Sequence, residues 1–227
     1  MLVFLLAVLL SLSSGIQTIV LDFQRVTTET GKQEESISGR LYFKQPFWMF
    51  VQVQKPLKQI MMSDRRELWI YYPVEKTAFH ITTKKDNPPI FVQGILGALK
   101  EDFGLEKLGY KLTQHKVLGD TLLTIWEPPA DKAKALGKFE LYLADSRLVK
   151  AFSQSSDGKT KSESIYSNYK KVGNFWIPFE IETKTKDAWR VKQEIIRYKN
   201  IKLNSVIPDS LLHFAIPEKI PVKEVKW

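Results

Sequence analysis

LYFKQPFWMFVQVQKPLKQIMMSDRRELWIYYP, residues 41–73, carries the pattern from which the fold of this chain is read. Leu41 and Phe43 alternate with Tyr42 and Lys44, and Val51 and Val53 with Gln52 and Gln54. Leu68, Ile70 and Tyr72 oppose Trp69 and Tyr71. A period of two is what a half-buried strand requires, because successive side chains leave opposite faces of a sheet. Gln45-Pro46 and Lys55-Pro56 interrupt the runs as turn signals.

Working outward, the same alternation recurs. Phe139, Leu141 and Leu143 share a face against Glu140 and Tyr142, and Ile177, Phe179 and Ile181 do so against Glu180 and Glu182. Thr30-Gly31, Gly119-Asp120, Asp157-Gly158 and Gly173-Asn174 mark further turns. About eleven strands at short spacing predict an antiparallel meander, barrel or strongly curved sheet. Neither βαβ alternation nor an internal repeat nor a low-complexity linker occurs, so 16–227 reads as one domain.

One segment departs from the strand period. In IFVQGILGALKEDFGLEKLG (90–109), Phe91, Ile95, Leu96, Leu99 and Phe103 fall on one side of a helix. Pro88 and Pro89 set up its start, Gly104 a natural stop. Gly94 and Gly97 lie inside it, each costing about 1 kcal/mol relative to Ala, which predicts a helix that moves or bends readily. A plain amphipathic helix plugging the open side of a curved sheet fits the same periodicity. A shorter helix is expected around Ala130–Ala135.

Composition narrows the function classes. With 44% hydrophobic and 12% aromatic residues the chain can bury a core, which excludes disordered, collagen-like and coiled-coil classes. The absence of Cys excludes a disulfide scaffold, a thiolate zinc site and a cysteine nucleophile. The run MLVFLLAVLLSL (1–12), followed by Ser13, Ser14 and Gly15, is too short to span a bilayer. It matches the apolar core and small-residue end of a secretory leader, although it lacks a basic n-region. The alternative is a buried first helix. Export with 1–15 as signal peptide predicts a soluble periplasmic product.

Templates for catalysis come back nearly empty. His80, His115 and His213 are far apart, with no metal-ligand spacing. Neither a phosphate loop nor a Gly-x-Ser-x-Gly elbow is present. The chain therefore reads as a non-enzyme without metal or cofactor. Its formal charge of +9 asks for an anionic partner or solvated loops, the short clusters being Lys132/Lys134, Lys159/Lys161, Lys170/Lys171 and Lys184/Lys186. For an exported protein a membrane surface or an acidic partner is the expected use, and nucleic acid is not. Phe43, Phe47, Trp48, Met49 and Phe50 stand within eight residues, a surplus that hints at a ligand cavity.

The 41–73 stretch resembles the strand block of LolA, the periplasmic lipoprotein carrier family. The matching features are Phe43-Lys44-x-Pro46, Lys55-Pro56, Ile60, Ser63-Asp64 and Leu68-Trp69-x-Tyr71-x-Pro73. Asp22-Phe23-Gln24 with Gly31 and Gly39, Asn87-Pro88-Pro89 and IPDSLLHFAIPEKIPV (207–222) extend the likeness over nearly the whole mature chain. GNFWIPFEIETK (173–184) is also similar to longer lipoprotein-sorting relatives.

This resemblance implies an incomplete, half-open antiparallel β-barrel of about eleven strands with a helical lid over an apolar cavity. It implies a monomeric carrier that takes the acyl chains of a lipoprotein from an inner-membrane release transporter to an outer-membrane acceptor, with transient contact at the membrane surface. A lipid-sensing regulatory protein, or a carrier of free phospholipid or glycolipid, is the alternative. Where the family's lid-latching Arg stands, this chain has Gln45.

The acyl site is expected on the inward faces of 41–53 and 60–72: Leu41, Phe43, Phe47, Trp48, Phe50, Ile60, Met62, Leu68, Ile70 and Tyr72. Phe91, Ile95, Leu96 and Leu99 complete it from the lid. Met49, Met61 and Met62 suit a site that must repack around variable chains. Alternation leaves open which strand face points inward.

Overall fold

A computed structural model describes residues 15–83, 92–134 and 136–226. Apart from Gly15, the expected leader lies outside these residues, as do Asn87, Pro88, Pro89 and Phe91. The first six strands are β1 (Thr18–Glu29), β2 (Glu35–Lys44), β3 (Trp48–Lys55), β4 (Gln59–Asp64), β5 (Glu67–Tyr72) and β6 (Thr77–Thr82). Helix α1 (Gln93–Ala98) follows, then a 3-10 turn at Glu106–Leu108. The chain returns to the sheet with β7 (Lys111–Leu118), β8 (Thr121–Glu127), β9 (Lys138–Ala144) and β10 (Arg147–Gln154). The long strands β11 (Lys161–Val172), β12 (Phe175–Lys186) and β13 (Val191–Leu203) precede α2 (Asp209–Leu212) and β14 (Val222–Lys226).

All fourteen strands form one open sheet in the order β14-β6-β5-β4-β3-β2-β1-β13-β12-β11-β10-β9-β8-β7. The expected mostly-β, unclosed architecture is what is observed, with fourteen strands where spacing suggested about eleven. Two antiparallel meanders, β1 to β6 and β7 to β13, meet where β1 pairs with β13. That long-range pair joins both halves through one backbone ladder. The exception to antiparallel pairing is β14, which lies parallel to β6 after the chain has crossed the sheet.

Register assigns the two faces. Ile19, Phe43, Met49, Ser63, Leu68 and Ile81 stand side by side across β1 to β6. The next row on that face is Leu21, Leu41, Val51, Met61, Ile70 and Phe79. Ile196, Ile181 and Tyr166 form a row on the same face across β13, β12 and β11, with Arg25 as its neighbour on β1. Of these residues, Ile19, Leu21, Leu41, Phe43, Met49, Val51, Tyr166 and Ile181 belong to the main hydrophobic core and Met61 and Ile196 pack against it, together with Ile95 and Leu96 of α1 and Leu99 just after it. We call this the concave face.

The opposite face carries the row Tyr42, Phe50, Met62, Trp69, His80 and Glu224. Here the C-terminal segment is the cover: the ring of Phe214 meets Phe50 edge-on at 5.5 Å. His80 stacks on Trp69 at 3.8 Å and hydrogen-bonds to Glu67 and, at 2.8 Å, to Glu224, tying β14 to its neighbours.

The lid helix is shorter than its apolar periodicity suggests. It stops at Ala98, and Phe103 (φ +56°) and Gly104 (φ +83°) turn the chain back through left-handed conformations. At the reversal the ring of Phe103 stands edge-on to that of Tyr166 at 6.1 Å. Asp102 secures the turn, its carboxylate accepting from the backbone N–H groups of Gly104 (2.9 Å) and Glu106 (3.0 Å). Around residue 130 only a 3-10 turn, Ala130–Lys132, is formed, and Ala135 lies outside the described residues.

Candidate functional site

The concave face is an apolar trough, and α1 lies in it. Ile95 is fully buried, and Val92, Leu41 and Phe43 are buried in the same cluster. The two helix glycines are packing positions rather than weak points. A Cβ on Gly94 would lie 2.7 Å from Cδ1 of Ile181, and one on Gly97 would lie 2.3 Å from the ring of Phe103. The missing Cβ atoms let the helix backbone settle directly onto the sheet and onto the turn that follows it.

The charges that share the trough's face at the β1–β13 junction, Arg25 and Glu194, are paired with each other at 3.7 Å. Burial pushes the phenols of Tyr166 and Tyr198 well above the ordinary tyrosine range and that of Tyr169 up to about 12. Each stays neutral at physiological pH. Tyr169 also donates a hydrogen bond to the backbone carbonyl of Leu148. Ser63 is buried on this face without a hydrogen-bond partner for its hydroxyl.

The ten sheet residues expected to form one site divide between the two faces. Leu41, Phe43, Leu68, Ile70 and Tyr72 are concave. Trp48, Phe50, Ile60 and Met62 are on the opposite face, where Trp48 stacks on Phe50 at 6.4 Å. Phe47 is in the β2–β3 turn beneath the guanidinium of Arg65, 5.4 Å from its ring centre. The reason is double coverage: one side of β3 faces the main core that also takes in Ile95, and the C-terminal segment covers the other. Met49, Phe50 and Val51 are therefore all buried in succession. Gln45 also differs from its expected role, because its side-chain amide donates to the carbonyl of Ile16 at the entry to β1 rather than reaching α1.

The part of the trough not filled by α1 lies at the other end of the sheet. A cavity of about 580 Å³ is lined by Leu112, Val117, Leu122, Trp126 and Leu143, with Glu101, Asp102, Glu106, Asp120 and Asp145 around it. These residues were absent from the expected site. The available signal was Leu112 and Val117 on β7, a strand exposed along its whole length and therefore without a buried period to read. A second apolar hollow of about 400 Å³ lies between the opposite face and the C-terminal segment, lined by Met62, Trp69, Phe214, Ile216 and Ile220 among others. A third hollow, about 920 Å³, bears the charged side chains of Asp22, Arg40, Lys55, Arg197 and Lys199. There Arg40 and Asn200 donate to Asp22, and the Arg40 bond holds the Asp22 carboxyl below the usual aspartate range.

Among the described residues, no three His, Cys, Asp or Glu side chains are grouped so as to hold a metal ion. Nor is any described helix long and apolar enough to cross a membrane.

An open antiparallel sheet with a largely apolar concave face and a short helix laid in it defines a class of half-barrel proteins. The family described as "Outer membrane lipoprotein carrier protein LolA" matches residues 14–174, and the chain belongs to that family. An outer-membrane lipoprotein carrier protein of Hahella chejuensis is 26% identical over 100 residues, covering 42% of this chain and 48% of that protein. One from Chromobacterium violaceum is 40% identical over 58 residues, covering 26% and 28%. The matched stretches thus span half or less of these relatives.

Solved structures share the fold. A LolA superfamily protein from Nitrosomonas europaea superposes with a TM-score of 0.56 at 15% identity, covering 86% of this chain and 90% of that one. A protein described as an outer-membrane lipoprotein-sorting domain from Vibrio parahaemolyticus gives 0.57 at 14% identity, covering 87% and 89%. A DUF1329 family protein from Desulfovibrio piger gives 0.58 at 13% identity, covering 93% and 96%.

Proposed function

We propose that this protein is an exported periplasmic carrier that binds the acyl chains of lipoproteins on its concave face and shuttles them from the inner to the outer membrane. The observation that carries the reading is the trough itself: a largely apolar surface drawing on both halves of the sheet, with α1 lying over it. Membership of the LolA family and the carrier names of its relatives support lipoprotein as the cargo.

The physical need is simple. Bringing an acyl chain into water costs about 0.8 kcal/mol per CH₂, so a soluble carrier must present apolar surface of similar extent. Leu41, Phe43, Met49, Met61 and Ile70 supply it from the sheet, and Ile95, Leu96 and Leu99 from the helix. Those three residues occupy the trough in the structure, so loading requires α1 to lift and cargo to take over its contacts. The hollow beside Leu122, Trp126 and Leu143 is the part of the face already open. A release transporter in the inner membrane and an acceptor in the outer membrane are the partners this cycle needs. No step in it calls for a catalytic group.

Native mass spectrometry of the protein purified without detergent from its own periplasmic fraction tests the reading. A bound acylated species is expected. An empty protein that also takes up no lipoprotein from membranes would contradict it.

A further inference from the structure

Trp189 is 88% exposed at the tip of the β12–β13 hairpin, yet the turn that presents it is firmly built. The Asp187 carboxylate accepts from the backbone N–H groups of Trp189 (2.9 Å) and Arg190 (2.8 Å), and the Asp187 N–H donates to the Arg190 carbonyl. A rigid turn therefore holds a large indole in water, where it touches little of its own chain.

The charges around it are arranged at a cost. Lys161 stands directly across from Lys186 in the β11–β12 register. Like charges in that position destabilise a strand pair. Neither lysine, nor Lys184, makes an ion pair among the described residues. Nearby, Lys159 reaches Asp157 at 3.9 Å and Arg190 reaches Asp187 at 3.0 Å, and both aspartates are engaged in their own turns. Two neighbouring hairpin tips thus share an excess of positive charge around one exposed indole.

We propose that the tips of β10–β11 and β12–β13 dock on an anionic lipid bilayer, with Trp189 entering the interface and Lys159, Lys161, Lys184, Lys186 and Arg190 facing headgroup phosphates. Indole rings favour the headgroup level of a membrane, and each Lys or Arg near an anionic surface adds attraction that salt screens. Docking here does not depend on which cargo fills the trough, since α1 packs on β12 at Ile181 whereas Trp189 lies beyond the end of that strand at Lys186.

Flotation of the purified protein with vesicles of equal parts phosphatidylglycerol and phosphatidylethanolamine tests this. Wild type should float with them, fail to float with pure phosphatidylcholine, and be released by high salt. Trp189→Ala and the double variant Lys161→Gln/Lys186→Gln should each lower binding roughly tenfold. Both changes are on exposed tips, and removing the like-charge pair should leave thermal stability unchanged or raised, so misfolding would not mimic the effect. Three results would overturn the proposal: no binding by wild type, full binding by Trp189→Ala, or equal binding to neutral vesicles. Loss of capture by an acidic protein alone, with vesicle binding unaltered, would assign the tips to a protein partner and overturn it as well. Acyl cargo measured in the same variants by mass spectrometry should be unchanged, which separates failure here from failure of the carrier reading.

Discussion

Gly94 packs directly against the side chain of Ile181, with room for no Cβ between the helix and the sheet. On helix propensity alone, replacing a helical glycine with alanine should gain about 1 kcal/mol. The contact reverses that expectation, because the added methyl must displace a core side chain. The same holds more strongly at Gly97 under the ring of Phe103. Overpacking of this kind costs roughly 1–3 kcal/mol. Gly97→Ala should therefore lower the midpoint of urea unfolding, and a raised midpoint would show that the helix is not seated as described.

The division of the 41–72 residues between two faces separates two effects that are easily confused. Leu96→Glu puts a carboxylate into the trough and should lower lipid uptake by roughly tenfold or more. Trp48→Glu alters the opposite face, where the indole stacks on Phe50. It should cost stability, about 1–3 kcal/mol, and leave uptake unchanged. Lipid loading and thermal melts on both variants check the assignment. Loss of uptake in Trp48→Glu with intact folding would place cargo on the wrong face for this account.

Acid sensitivity should trace in part to Asp22. Its carboxyl is depressed in the folded protein by the bond from Arg40, so its contribution is present above the unfolded aspartate value and lost as pH falls through the folded one. Asp22→Asn should be less stable than wild type at neutral pH by about 1 kcal/mol or less, since the pair is partly solvated. The gap should begin to narrow below about pH 4 and close as pH falls through the depressed folded value. Chemical unfolding at a series of pH values measures it.

Much of this architecture could be read from residue patterns, and the failures have physical causes. Strict alternation in Phe139–Leu143 and Ile177–Ile181 marks strands with one buried face, and Asp157-Gly158 and Gly173-Asn174 sit at the turns that join them. In β3 the alternation fails as a guide because a distant segment, 207–222, buries its second face. No local pattern reports that the chain will cross over and add β14 to β6. Ile95, Leu96 and Leu99 join the core as their apolar period suggests, but the helix ends at Ala98 and the left-handed turn at Phe103 and Gly104 is not announced by that period. The open hollow went unseen because β7 buries nothing and so carries no period.

That α1 must leave the trough for cargo to enter is the central claim, and the absence of native cysteines makes it directly testable. A chain carrying Gly94→Cys and Ile181→Cys can be oxidised to staple the helix to β12, with closure verified by intact mass. The account predicts that the oxidised protein takes up no acylated cargo and that reduction restores loading to the level of the reduced, uncrosslinked sample. Equal loading of the stapled and the reduced protein would contradict it.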